Sequence, residues 1–394
     1  MMHAYHRRCL TAVFGASLVA IATTAPAQSL TAQLSDLLVE QAATPGLPGD
    51  VAAAELTRDA IADLFSVELA SMPASSSSGG FVYRLNRQLG AVERLSDAFG
   101  PFYNESVLRP GKAQTGVSVR YHRSHFTSLQ GADLTNGTFP TTAARVVGAA
   151  APFSVDTLDF SLDAQTLSMI GTRGVTDRWS VGAIVPFQTV SFRGRRTRVA
   201  DGRSVLQSSQ SGRSSGVGDI ALQTRYRVVD RGNTGLSMGA DVRLPTGRSA
   251  DLLGAGKAAA RVLAIASVEE GRLALHVNGT AGVGGVSRDG TYGLATTFAV
   301  APRVTLIGEW LGRYVAQLSR LEDVYQPFVG VPGVETMRWV PVERGIHSSF
   351  AVLGAKWNIA RSVLVNANVL IRINQSGFRA PVTPMLSLDW DVQR

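Results

Sequence analysis

From Gln114 almost to the end of the chain, apolar and polar residues alternate one for one, and after residue 25 no run of about 18 apolar residues occurs. A period of two places one face of an extended strand in an apolar medium and the other in a polar one. Val117, Val119 and Tyr121 oppose Ser118, Arg120 and His122. Ile220, Leu222, Thr224, Tyr226 and Val228 oppose Asp219, Gln223, Arg225 and Arg227, while Met238, Ala240 and Val242 oppose Ser237, Asp241 and Arg243. Near the end Val363, Val365, Ala367, Val369 and Ile371 oppose Asn366, Asn368 and Arg372. About twelve such segments follow one another, each near the ~10 residues a tilted strand needs to cross an outer membrane. A bundle of membrane-spanning helices is excluded.

The connections sort by length. Residues 172–177, 230–234, 269–271, 301–303 and 358–362 read as tight turns rich in Gly, Asp, Asn and Pro. Between them lie residues 126–153, 194–216, 246–257 and 315–344, which read as long loops. Short periplasmic turns alternating with long extracellular loops define an outer-membrane barrel with both chain ends in the periplasm. The expected fold is therefore all-β, a transmembrane antiparallel β-barrel of about 12 strands. A secreted sandwich or propeller would also alternate, but its strands would be shorter and its turns would not sort; no fixed internal repeat marks a propeller.

The N-terminal part reads differently. Arg7 and Arg8, an apolar stretch from Leu10 to Ile21 and then Ala25-Pro26-Ala27 form a secretory signal peptide over residues 1–27. Its removal takes away Cys9, the chain's one cysteine, and with it disulfides and thiolate chemistry. The expected location is the outer membrane of a Gram-negative bacterium. Residues 28–110 then form a periplasmic or plug segment, and 111–394 the barrel. Leu30, Leu34, Leu37 and Leu38 share one helical face, as do Leu56, Ile61, Leu64 and Phe65, with Pro45 and Pro48 between the two helices. A Ser/Gly-rich stretch over 73–80 leads to a candidate hairpin over 81–95, which would raise the strand count to 14 if it joined the sheet.

Charge narrows the partners. Charged residues make up 17% of the 394, against roughly 25% in a soluble domain, and glycines number 40. Loss of Arg7 and Arg8 leaves 36 basic and 30 acidic residues, a net +6. That is no nucleic-acid footprint, and none of the spacings calls for a metal or cofactor.

Several motifs carry a resemblance. Residues 171–187, GTRGVTDRWSVGAIVPF, precede Gly216-Val217-Gly218-Asp219-Ile220, then Leu244-Pro245-Thr246-Gly247 and Leu252-Leu253-Gly254-Ala255-Gly256. In this order they resemble the outer-membrane barrel family of meta-pathway phenol degradation transporters, itself similar to fatty-acid and aromatic hydrocarbon transport barrels. The match covers roughly residues 155 to 375. Arg173 stands where an aromatic is more usual, and the chain ends Trp390-Asp391-Val392-Gln393-Arg394 rather than on an aromatic. The resemblance implies passage of small hydrophobic or aromatic compounds and fixes no substrate.

Candidate site residues follow from the face assignments. Asp219, Arg225, Asp241, Arg243 and Glu309 are expected to line the lumen within a charged row that also holds Asp159, Asp163, Arg313, Lys356 and Arg372; mutual pairing across the wall is the bland account of the same row. Phe99, Phe102 and Tyr103, around a Gly-Pro turn, are the candidates for a plug or substrate contact. Arg193, Arg195, Arg196, Arg198, Arg203 and Arg213 crowd the segment 193–213, which suits phosphates of outer-membrane lipid and lipopolysaccharide, or is simply a solvated loop. A structural barrel with a filled lumen is the alternative function. A lipid hydrolase built on His347 and Ser349 is weaker, for lack of a third group to orient the imidazole; no enzymatic activity is expected.

Overall fold

The computed structural model describes residues 28–39, 50–70, 83–86, 91–94, 98–107, 111–231, 233–285, 287–316, 320–342, 345–360 and 362–392. The expected leader lies outside the described residues. Twelve strands close a barrel. In chain order they are β1 (Thr115–Phe126), β2 (Ser154–Gly174), β3 (Trp179–Ala200), β4 (Ala221–Arg231), β5 (Thr234–Arg243) and β6 (Ala259–Glu270). There follow β7 (Leu273–Gly284), β8 (Asp289–Ala301), β9 (Val304–Val315), β10 (Ile346–Ala360), β11 (Val363–Arg372) and β12 (Val382–Val392). Each pairs antiparallel with its chain neighbours, and β12 returns to β1, where Trp390 lies opposite Val117. This up-and-down closure leaves the barrel no free edge.

The five short connections fall at one end, together with the start of β1 and the end of β12; the long ones gather at the other. We call these the turn end and the loop end. On the outer wall Trp179, Tyr226, Phe298, Trp357 and Trp390 stand near the turn end, and Tyr121, Phe187, Tyr292 and Tyr314 nearer the loop end, all exposed. Between the two aromatic sets on β4 to β12 the outward side chains are uncharged, while Arg225, Asp241, Glu309, Arg313, Lys356 and Arg372 point inward.

The structure departs from the sequence expectation at the loop end. Residues 194–216 are no loop. β2 and β3, 21 and 22 residues long, continue beyond the closed barrel, and β3 pairs there with a further strand, Arg203–Val217. Asp201 and Gly202, at φ 49° and 71°, make the two-residue turn between them, a geometry with positive φ at both positions that Asp-Gly favours. On the other side β2 pairs with Phe139–Val146, which in turn carries the hairpin of Arg320–Pro327 and Val334–Val342. The hairpin of Tyr83–Asn86 with Ala91–Arg94 forms a sheet of its own, so the barrel keeps twelve strands and not fourteen.

Two helices fill this extended end. In α1 (Leu30–Leu38), the Ser29 side chain caps the first turn by accepting from the Ala32 amide at 3.3 Å. Leu30, Leu34, Leu37 and Leu38 are buried. The helix lies against Gly194 of β3 and Gly212 of the added strand, where a Cβ would meet Leu37 and Leu30. In α2 (Val51–Ala70), Asp50 accepts from the Ala53 amide at 3.0 Å, and Ile61, Leu64 and Phe65 are buried. Phe65 stacks on Phe160 of β2 at 5.1 Å and meets Phe378 at 4.1 Å. Burial of each such side chain stabilises by roughly 1.5–3 kcal/mol.

This packing inverts the wall. On the upper part of β2 the inward residues are Leu158, Phe160 and Leu162, facing the helices, whereas Asp159 and Asp163 point outward. These two acids therefore leave the expected lumen row. Asp163 pairs with Arg123 at 2.9 Å and Asp159 with Arg195 at 2.6 Å, on the outer surface. No helix among the described residues is long and apolar enough to cross a membrane, which leaves the strands as the elements that could.

Candidate functional site

The lower lumen is crossed by the segment 98–107, just ahead of β1. A single strand of irregular backbone inside a barrel must find partners for its amides and carbonyls. The wall supplies them. Glu309 on β9 accepts from the backbone amides of Phe102, Tyr103 (3.1 Å) and Asn104 (2.8 Å), and from the Asn104 side-chain amide at 2.9 Å. Thr305 Oγ1 accepts from the Phe99 amide at 3.0 Å, and Lys356 Nζ on β10 donates to the Pro101 carbonyl at 3.2 Å. Asn278 on β7 accepts from the Glu105 amide at 2.9 Å and donates to its carbonyl at 3.0 Å, and Ser267 on β6 accepts from the Val107 amide at 3.1 Å.

Charge pairing completes the seat. Arg225 on β4 donates through Nε and Nη2 to the Glu105 carboxylate at 2.9 and 2.8 Å, and through Nη1 to Asp241 on β5. Arg225 is almost fully buried, so these bonds act with little solvent screening. The aromatic candidates serve as anchors. Phe99 is fully buried against Leu364, and Phe102 is buried among Ile307, Leu311, Phe350, Val352 and Leu370. The Lys356 ammonium lies 5.2 Å from the Phe102 ring.

A second clamp holds α2 at the loop end. Glu68 accepts from Arg313 at 2.7 Å and from Arg372 at 3.3 Å, and Ser348 accepts from Arg372 at 2.8 Å. Burial would push the Glu68 carboxyl up, but the two guanidiniums more than offset it and hold it below the ordinary carboxylate range.

Between α2 and the segment 98–107, at the wall of β1 to β4, lies a cavity of about 120 Å³. Leu69 from α2 and Tyr103 from the lower segment form its ceiling and floor. Ile184, Pro186, Leu252 and Met385 give it apolar walls, and Asp219 and Arg243 stand among its polar groups.

Of the residues expected in the lumen, Arg225, Asp241 and Glu309 face inward and hold the segment 98–107. Arg243 borders the cavity. Asp219 borders it as well and also braces a loop, where its carboxylate accepts from the amides of Gly247 at 3.0 Å and Ala255 at 2.8 Å. Thr246 Oγ1 accepts from the Ile220 amide at 2.9 Å and donates to the Gly218 carbonyl at 2.7 Å. The Gly-Asp and Pro-Thr-Gly motifs, distant in the chain, thus meet as one loop clamp, and Pro245 follows the end of β5 where ladder pairing stops. Glu105 and Glu68 were not legible as site residues. The available signal was a lone acid on an apolar helix face in one case and an acid beside an aromatic turn in the other.

His347 and Ser349 face outward. Ser349 Oγ accepts from Trp310 Nε1 at 3.0 Å, and His347 Nε2 shares a hydrogen bond with the Tyr292 hydroxyl at 2.5 Å, so each is engaged with an aromatic neighbour rather than with the other. Arg196 is also removed from the expected basic loop surface: it is buried, paired with Asp156 at 2.7 Å and bonded to the Leu37 carbonyl at 3.0 Å. Among the described residues no group of three or more His, Asp or Glu is placed to hold a metal.

Fold and site together define a closed twelve-stranded barrel with an inward polar row and a lumen occupied by its own N-terminal segment. No family model matches the chain, and no curated protein does. Among solved structures it is similar to an outer membrane channel from Pseudomonas putida F1, at 16% identity and TM-score 0.44, over 72% of this chain and 96% of that one. It is also similar to the NanC porin (6%, 0.37, 71% and 99%) and to the P. putida toluene transporter TodX (10%, 0.35, 72% and 91%). At these levels the similarity carries no functional argument, which rests on the lumen itself.

Proposed function

We propose that this chain is an outer-membrane barrel that passes small hydrophobic or aromatic compounds through a lumen gated by its own N-terminal segment. The observation that carries the reading is the cavity at the seam of the two plug layers. It is mostly apolar, has a few polar groups, and is bounded above and below by elements held through side chains rather than by covalent continuity of the wall. An apolar outer belt between aromatic girdles supports a place in a membrane, because lipid accepts only helices or closed barrels. With the turn end in the periplasm, α1 and α2 stand on the external side. Buried lumen atoms without a protein partner, Arg120 Nη1 and both amide atoms of Asn368, mark points that accept water or a polar group of a solute.

A solute would enter from the loop end, lodge against Tyr103 and Met385, and leave inward when the lower segment loosens. No bond is made or broken. The second reading, a filled structural barrel, is favoured by the completeness of the seat around Glu105 and Glu309. Uptake of small aromatic compounds by vesicles containing the refolded protein separates the two. Entry above that of empty vesicles, reduced when Thr166→Trp fills the cavity, supports transport. Flux at the level of empty vesicles leaves the filled barrel.

A further inference from the structure

The outer surface of the extended strands carries an ordered ladder just above the apolar belt. Strand register sets its rows. Tyr121, Leu167, Phe187 and Val217 stand in one outward row, which is apolar. The next row holds Arg123, Gln165, Thr189 and Ser215, with the last two hydroxyls hydrogen-bonded at 2.9 Å. Above it come His125, Asp163, Ser191 and Arg213, and above those Ser161, Arg193 and Ser211.

The acids of this surface are already engaged. Asp163 takes Arg123 at 2.9 Å and His125 at 3.2 Å, and Asp159 takes Arg195 at 2.6 Å. Arg193 and Arg213 are exposed and have no carboxylate partner among the described residues. In the ladder Arg193 lies opposite Ser211, and Arg213 lies opposite Ser191, so the two arginines are diagonal neighbours across one strand pair. Diagonal positions are roughly 7–8 Å apart. Two arginines and two serines therefore alternate at the corners of one ladder rectangle, about 5 by 7 Å, close enough for their side chains to converge on one tetrahedral oxyanion with several charge-assisted donors.

Depth identifies the ligand. Phe187 and Val217, at the rim of the apolar belt, lie four residues below Ser191 and Arg213 and six below Arg193 and Ser211, about 13 and 20 Å along a strand and less in height once the strands tilt. The headgroup layer is about 5–8 Å deep in each leaflet, so the four residues stand just above it, and the arginine stems can reach down toward it. A phosphate carried on a lipid is presented beside these arginines by the membrane itself, whereas a soluble anion must be captured from bulk water.

We infer that Arg193 and Arg213, with Ser191 and Ser211, form a docking site for the phosphate of a phosphorylated glycolipid headgroup, of the lipopolysaccharide kind, in the leaflet around the loop end. This inference rests on the outer-membrane reading above. Its site would keep the extended wall and α1 at a fixed height over the bilayer. The test compares the refolded full chain with an Arg193→Gln/Arg213→Gln variant, using purified lipopolysaccharide, the same lipid dephosphorylated, and inorganic phosphate as probes. Heat-dependent gel mobility and insertion into vesicles are recorded on the same samples.

The variant should insert normally and bind lipopolysaccharide roughly tenfold more weakly, as befits the loss of two charge-assisted contacts at a solvated rim. The dephosphorylated lipid should bind both proteins equally weakly, and Arg195→Gln, whose partner is Asp159, should change little. Equal affinity of wild type and variant, or no effect of dephosphorylation, overturns the site. Competition by inorganic phosphate at the same concentration as the lipid overturns the lipid as its source. Should the double variant not fold, Ser191→Ala/Ser211→Ala provides the same comparison with a smaller loss. Failure of the wild type to insert into vesicles sinks the membrane reading instead.

Discussion

Glu105, on the segment that crosses the lumen, is held by Arg225 of the wall through two parallel hydrogen bonds of 2.8 and 2.9 Å. The residues are 120 positions apart in the chain, and the bond fastens that segment to the fourth strand. Arg225 also holds Asp241, so one guanidinium joins the lumen segment and two adjacent strands.

Removal of either partner should therefore unseat the lower segment. In Arg225→Ala the buried Glu105 carboxylate is left without its cation, and the partly buried Asp241 loses one of its own, a change that for a buried pair typically costs about 3–5 kcal/mol. Planar-bilayer recordings should show larger and more frequent openings for this variant than for the parent. Recordings indistinguishable from the parent would mean that the segment is held elsewhere.

Glu309→Ala takes the common acceptor away from three backbone amides and the Asn104 side chain. Each buried donor left unmade costs about 1–3 kcal/mol. Amide exchange of residues 102–104 should accelerate by orders of magnitude while exchange of β4 to β8 stays slow. Glu309→Gln, which keeps an acceptor oxygen, should lie between the two.

Acid should release α2 late. The Glu68 carboxyl is held below its ordinary range, so the clamp is intact above the unfolded value near ~4 and its contribution is lost only as pH falls through the lowered folded value. Exchange of α2 amides should stay slow at pH 5 and rise below pH ~4. Glu68→Gln should abolish that step. A rise centred between pH 5 and 6 would assign the release to another group.

Gly194→Val should displace α1 without opening the barrel. A Cβ there meets Leu37 and Phe160, and such overpacking costs about 1–3 kcal/mol. Limited proteolysis should cleave near residues 30–38 in the variant, with heat-dependent gel mobility unchanged. Protection equal to the parent would show that the helix can shift to accommodate the branch.

The parts of this protein that are local in the chain were legible from it. Pleating ties the face of a side chain to its place along a strand, so the inward course of Arg225, Asp241, Glu309 and Lys356 and the outward course of Leu353 and Trp357 could be read from alternation alone. Turn length likewise sorted the two ends. The hairpin at Asp201-Gly202 was equally local, and its Asp-Gly signal was masked by the surrounding arginines.

Other features depend on what stands inside the barrel. Asp159 and Asp163 alternate like lumen residues, yet they face outward because α1 and α2 fill the space opposite Leu158, Phe160 and Leu162 with apolar side chains. Alternation shows that two faces differ; it does not show which face meets water. The partnerships of Glu68 with Arg313 and of Glu105 with Arg225 are likewise products of closure, because only the closed wall brings those charges within hydrogen-bond reach of the N-terminal segment. The sequence by itself determined the twelve barrel strands, the difference between their two faces and the end at which the short turns lie. Tertiary packing decided what fills the lumen and which charges hold it there, since both follow from contacts between segments more than a hundred residues apart.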